Sequence, residues 1–133
     1  MTNQESSLNT LGIDYGAKHV GLAISSHGLM ALGFTTIVNR ERKDLLRQIA
    51  NVVAAHEIDQ IVIGIPITTV HGKKQTQEIT RFQKDLAVAL PNVRIFEHNE
   101  TMTSAQARRG AAADKEHQEA ARIILDDWLT SQG

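Results

Sequence analysis

The sequence predicts an α/β fold: a mixed five-stranded sheet, three antiparallel strands followed by parallel additions, flanked by helices on both faces, in the order βββαβαβαα. Three observations carry this. Up to Val38 the chain holds three short β-prone segments separated only by turn residues. The apolar period then switches to helical spacing at Leu45, Ile49, Val52 and Val53. Beyond that, two more strand-like runs are separated by a helical stretch, the arrangement that parallel pairing requires.

Residues 1–7 are polar and read as a disordered leader, with 8–133 as a single domain. The apolar segment 8–14 predicts a strand ending on Asp14, and Gly16 marks a tight turn. Across 19–25, Val20, Leu22 and Ile24 alternate with His19, Gly21 and Ala23, the period of a half-buried strand. Ser26-His27-Gly28 has turn chemistry, and 30–38 reads as a third strand. A helix is predicted over 40–56. Gln60 to Ile65 is a continuous apolar run, as in a strand covered on both faces, and Pro66 is expected to end it before a polar loop over 67–74. Ile79, Phe82, Leu86 and Leu90 form one stripe of a helix over 75–90, which Pro91-Asn92 breaks. A fifth strand follows over 93–97. Thr103-Ser104-Ala105-Gln106 has capping-box spacing and predicts a helix to 113. A last helix over 114–130 buries Ala120, Ala121, Ile124, Leu125 and Trp128.

A length of 133 residues suits one domain with a sizeable core. No apolar run approaches the roughly 20 residues that span a bilayer, and the start lacks the basic and apolar regions of a signal peptide. The expectation is a cytoplasmic protein with no membrane partner. The absence of cysteine removes disulfides and thiolate metal sites. A net charge of −1 gives no global pull toward nucleic acid and leaves only local patches to supply one.

Two acids stand out. Asp14 is at a strand tip beside a glycine turn, and Glu100 follows the fifth strand. With strands one and four adjacent and five beyond, these strands end at one edge, where open α/β sheets place ligands. Carboxylates that converge repel unless a cation lies between them, and hard oxygen ligands suit Mg²⁺ or Mn²⁺. The plainer alternatives are a turn aspartate and a solvated glutamate near a helix N-terminus.

The chain resembles the YqgF family, also called RuvX, of nucleases with an RNase H-like fold. The resemblance rests on Ile13-Asp14-Tyr15-Gly16 with Lys18, on Val20-Gly21-Leu22-Ala23, on Val62-Ile63-Gly64-Ile65-Pro66, on Glu100 with Thr103 and Ser104, and on Ala120-Ala121-Arg122-Ile123-Ile124-Leu125. It covers nearly the whole chain. It implies metal-dependent phosphodiester hydrolysis, with Asp14 as central ligand and Glu100 as second. It also implies a nucleic-acid partner: the 5′ end of pre-16S ribosomal RNA, in a ribosome precursor, or branched DNA.

The chain departs from the family pattern at three positions. His117 stands where the family has an aspartate at the start of the last helix. Histidine ligates Mn²⁺ readily, Mg²⁺ poorly, and brings no negative charge. Asp114, three residues earlier, falls on the same face if the helix reaches back that far and is the candidate substitute metal ligand, with His117 the candidate third catalytic residue and a surface position the alternative. Asn99 and Thr101 replace charged residues. Gly16, Lys18, Thr68, Lys73, Lys74 and Thr103 are the candidate substrate contacts, with solvated loop residues as the alternative. Arg40, Arg42, Lys43 and Arg47 cluster around the first helix, where charge runs are usually solvated faces. The remaining histidines, His19 among them, read as surface residues, with His98 a neighbour of Glu100.

Three function classes follow: a nuclease on ribosomal precursor or, as alternative, a junction resolvase-like DNA endonuclease; a nucleic-acid or ribosome-assembly binding protein whose catalysis is impaired at His117; and a nucleotide-binding domain. The last requires a second domain and a glycine-rich phosphate loop, which the sequence lacks. Both a monomer and a homodimer are compatible with the sequence.

Overall fold

The computed structural model describes residues 8–67, 72–101 and 113–132. Strands β1 (Thr10–Tyr15), β2 (His19–Ser25) and β3 (Leu32–Val38) precede helix α1 (Arg42–Ala55), strand β4 (Gln60–Ile67), helix α2 (Gly72–Ala89), strand β5 (Arg94–Thr101) and helix α3 (Ala113–Gln132). The sheet order is β3-β2-β1-β4-β5. β1 and β3 run antiparallel to β2, whereas β4 is parallel to both β1 and β5. The expected leader at 1–7 and the helix expected from Thr103 to 113 lie outside the described residues.

Alternation along the strands divides the core in two. Leu11, Ile13, Val20, Leu22, Ile61 and Ile63 face α1 and α2, which contribute Leu45, Ile49, Ile79, Phe82 and Leu86. Ala23 and Val62 face the other way, against Ala121, Ile124, Leu125 and Trp128 of α3. That second layer is thin because two strand glycines lie under the helix. A Cβ at Gly12 would stand 2.7 Å from Leu125 Cβ, and one at Gly64 would stand 2.4 Å from Ile124 Cδ1. A side chain at position 12 would hold α3 off the sheet, and one at position 64 would displace the Ile124 side chain.

Helix α1 ends in a Schellman arrangement. Ile58 N–H donates to Val53 O at 2.9 Å and Glu57 N–H to Ala54 O at 3.4 Å. Glu57 takes the left-handed conformation (φ 51°) that glycine usually fills. Val53 and Ile58 are both buried, supplying the apolar contact that accompanies this cap. Asn9 ties this corner to the start of β1: its side-chain amide donates to Glu57 O at 3.0 Å, and its Oδ1 accepts from His27 N–H at 2.9 Å.

Several sequence-predicted boundaries move. β4 passes through Pro66 to Ile67, and β5 continues to Thr101 rather than stopping at Glu97. The two strands pair in register through Pro66–Glu100 and Ile67–Thr101, while β1 leaves β4 after Ile13–Ile63. Beyond that point β4 has a neighbour on one side only, where a proline is tolerated. Glu100 therefore lies within β5, not after it. Helix α2 starts at Gly72 inside the expected loop, because 72–78 carry no large apolar residue for periodicity to register. β3 starts at Leu32 rather than Met30, after a turn with left-handed His27 and Gly28 in which the Ser25 hydroxyl donates to Leu29 O at 2.5 Å.

Candidate functional site at the strand tips

Asp14 is the penultimate residue of β1 and is 7% exposed, a buried carboxylate following the apolar run Leu11-Gly12-Ile13. Burying a charge is costly without compensation, so its surroundings decide what it can do. Across the antiparallel ladder its partner is Gly21. Asp14 shares the sheet face of Gly12, the face that carries α3, because alternate residues point the same way.

Gly21 is where α3 comes down on the sheet. A Cβ there would stand 1.9 Å from the His117 carbonyl oxygen and 2.4 Å from its carbon. Only a residue with no side chain lets the helix backbone lie this close. His117 is thereby set above the strand pair that holds Asp14. Its ring stacks on His19, with centroids 4.9 Å apart and planes at 22°. His19, expected on the surface, is half-buried because α3 covers it. Asp114 lies in the first turn of α3, three residues before His117.

The third contribution comes from β5. His98 pairs with Gly64, which is one residue beyond the last β1–β4 pair and so level with Asp14. Glu100 is two residues further along β5, paired with Pro66. With strands about 4.8 Å apart and a rise of about 3.3 Å per residue, Asp14 and Glu100 backbones stand roughly 12 Å apart at the same end of the sheet.

The turn between β1 and β2 is fixed from outside. Asn39 N–H donates to Lys18 O at 2.8 Å, and Asn39 Nδ2 to Gly16 O at 2.9 Å. A Cβ at Gly16 would stand 2.6 Å from His19 O, so the turn requires glycine. Lys18 is exposed beside it. Behind Asp14, Tyr15 turns to the other face, where its ring stacks on Phe82 at 4.5 Å. Arg42 spans both rings, donates to the Tyr15 hydroxyl at 3.1 Å and pairs with Asp85 at 2.5 Å. Asp44, hydrogen-bonded by Arg47 and then by Gln48, is held below the usual carboxylate range.

The structure thus brings Asp14, Gly16, Lys18 and His117 to one end of the sheet, with the backbones of Glu100 and Asp114. Lys73 and Lys74 lie in the first turn of α2, which follows β4 at this same end. Thr68 and Thr103 lie outside the described residues. For a divalent ion, the described donors at this end of the sheet are the buried Asp14 carboxylate and the His117 imidazole. A carboxylate oxygen with an imidazole nitrogen suits Mn²⁺ better than Mg²⁺. Among the described residues no group of three His, Cys, Asp or Glu gathers as a metal site.

Sequence reasoning assigned no role to Gly21, His19 or Asn39. A glycine inside an alternating strand was the available signal for the first, since it marks a close approach. The His19 stack and the Asn39 clamp join elements distant in sequence and left no local mark.

Comparison with known proteins adds the following. The family described as "RuvX: Holliday junction resolvase" matches residues 8–131. A protein of Syntrophus aciditrophicus (strain SB) named "Putative pre-16S rRNA nuclease" is 30% identical over 134 residues, spanning 92% of this chain and 88% of the relative. A protein of the same name from Anaeromyxobacter dehalogenans (strain 2CP-C) is 33% identical over 132 residues, spanning 92% and 96%. Among solved structures, the chain is similar to T. thermophilus RuvC in complex with Holliday junction substrate, with a TM-score of 0.65 at 15% identity over 94% of this chain and 95% of the other. It is also similar to the fowlpox virus Holliday junction resolvase, at TM-score 0.58, 11% identity, 93% and 99%. At these identities the structural likeness concerns the fold, which is RNase H-like.

Proposed function

We propose, taking as premise that the chain belongs to the RuvX family of Holliday junction resolvases, that it is a metal-dependent nuclease whose substrate is the 5′ precursor end of 16S ribosomal RNA. The named relatives support that substrate over branched DNA, since they match at 30% identity or more across nearly their whole length. The observation that carries the reading is the buried Asp14 at the tip of β1, overhung by the His117 end of α3.

The roles follow from position. Asp14, Glu100 and Asp114 would hold Mg²⁺ or Mn²⁺, which when bound would supply an activated water and neutralise charge developing on the phosphodiester. His117 adds a nitrogen donor beside Asp14, and His19 fixes its ring plane by stacking. Gly16 keeps the turn tight enough for a phosphate to approach the strand tip. Lys18, Lys73, Lys74, Thr68 and Thr103 contact the substrate backbone. Among the described residues no helix is long and apolar enough to cross a membrane, and the cytoplasm, where ribosomal precursors are made, is the proposed location. A single domain suffices for this chemistry on RNA, so a monomer is the working state, whereas a junction would call for a homodimer matching its two-fold symmetry.

A second reading is favoured by one residue. His117 stands at the position where the family resemblance calls for a third acid, so the site carries less negative charge to hold ions. On that reading the protein binds ribosomal precursor without cutting it. One experiment separates the two: 5′ cleavage of a pre-16S fragment in Mn²⁺ and in Mg²⁺ by wild type and by Asp14→Asn. The nuclease reading expects cleavage by wild type and loss of at least about 10²-fold in the variant, with unchanged thermal stability. Binding without cleavage in either ion sinks the nuclease reading and leaves the second.

A further inference from the structure

We infer that Lys18, Arg40 and Lys43 form a path for the phosphate backbone of a nucleic acid, leading from Asp14 over the β1–β2 turn onto the start of α1. The sequence shows a basic cluster of Arg40, Arg42, Lys43 and Arg47, and tertiary contacts divide it. Arg42 is taken up by Asp85 and the Tyr15 and Phe82 rings. Arg47 is paired with Asp44. Arg40 and Lys43 are exposed, and among the described residues neither forms an ion pair, although Arg40 lies near enough to Asp44 to favour its charge weakly; Lys18 likewise forms none.

The Asn39 clamp turns these three into one surface. Its two hydrogen bonds, to Lys18 O and Gly16 O, fasten the β1–β2 turn to the segment that enters α1. Lys18 and Arg40 are thus held on either side of Asn39, at the end of the sheet where Asp14 lies, and Lys43 continues the line into the first turn of α1. Glu41 is the unpaired acid in this segment among the described residues. Three cations less one anion leave +2, on a chain whose overall charge is −1. Free cations cost little where they are solvated, but a polyanion that must approach a buried carboxylate needs compensating charge close by. A nucleic-acid strand, with one charge per about 3.4 Å, fits a row of side chains presented by a turn and a helix start.

The inference rests on the nucleic-acid partner proposed above but not on cleavage, so it is tested by binding in EDTA, where no metal-dependent cut occurs. The probe is a fluorescein-labelled pre-16S fragment containing the 5′ precursor junction, titrated by anisotropy at several salt concentrations. The variants are Lys18→Gln/Arg40→Gln/Lys43→Gln and, as an equal change of charge elsewhere on the exposed surface, Arg81→Gln/Lys84→Gln/Arg94→Gln. Each lost phosphate contact lowers the slope of log affinity against log salt by about 0.7–0.9. The first triple variant should therefore lower the slope by about 2–3 and weaken binding at least about 30-fold near 0.1 M salt, while the second changes the slope by less than about 1. Equal effects of the two variants, an unchanged slope in the first, or no binding by wild type would each overturn the inference. Wild-type binding with the expected slope change, in a protein that never cuts, would uphold it and defeat the nuclease reading alone.

Discussion

Replacing Gly21 by alanine drives a methyl group into the backbone of α3. The new Cβ would lie 1.9 Å from His117 O, 2.4 Å from His117 C and 3.1 Å from Gln118 N. Ordinary carbon contacts begin near about 3.5 Å, so the helix must withdraw by more than an ångström at this point. No rotamer change can absorb the clash, because the obstructing atoms belong to a helix backbone. Withdrawal also loosens Ala121, Ile124, Leu125 and Trp128, which α3 buries against the sheet. Overpacking of this kind costs about 1–3 kcal/mol or more. Glycine-to-alanine stiffening of the unfolded chain returns about 0.4–1 kcal/mol. The expected net loss is about 2 kcal/mol, read as a lower urea midpoint at unchanged m-value, with a melting temperature lower by roughly 5–15 °C. Gly33→Ala is the control. It also meets α3, but its Cβ would stand 3.3 Å from the Gln118 Cβ. Neither glycine has positive φ, so backbone strain does not confound the pair. If Gly21→Ala is within about 0.5 kcal/mol of wild type, or no worse than Gly33→Ala, then the close seating of α3 on β2 is wrong. The placement of His117 over Asp14 would go with it.

Two more perturbations probe the frame around the site. Arg42→Met keeps the stem over Tyr15 and Phe82 but removes the charge, the bond to the Tyr15 hydroxyl and the Asp85 pair. That pair is 32% and 49% exposed and so contributes under about 1 kcal/mol; with the charged hydrogen bond the total loss should be about 2 kcal/mol by urea unfolding, and a loss below about 0.5 kcal/mol would deny the clamp. Asp44 offers a pH test. Its folded pKa is lowered, first by the Arg47 hydrogen bond and then by Gln48, so its stabilising effect is present above the unfolded value of 3.8 and fades as pH falls through the folded one. Wild type should melt above Asp44→Asn at pH 6, and the gap should close as pH falls from 3.8 through the lower folded value; a gap that widens in acid would contradict the assignment.

Much of the frame was legible because it is written at short range. The alternation of Val20, Leu22 and Ile24 marks β2 within its own span, and Leu45, Ile49 and Val53 mark α1 in the same way. Asp14 stood out because an acid closing an apolar strand is locally anomalous. The misplaced ends of β4 and β5 share one cause: a strand's end is set by its partner across the ladder. β5 reaches Thr101 because β4 is there to pair with it, and Pro66 does not stop β4 because one of its edges is already free.

By itself the sequence determined which residues prefer strand or helix, which faces are apolar, and that an acid lies at a strand tip, since these depend on the few neighbours along the chain. Only the tertiary structure decided which basic residues are spent on ion pairs, that His19 lies under His117 rather than in solvent, and that Gly21 is the seat of a helix arriving from some 90 residues away. Those outcomes depend on distances between elements, and the packing of α3 onto the sheet sets them.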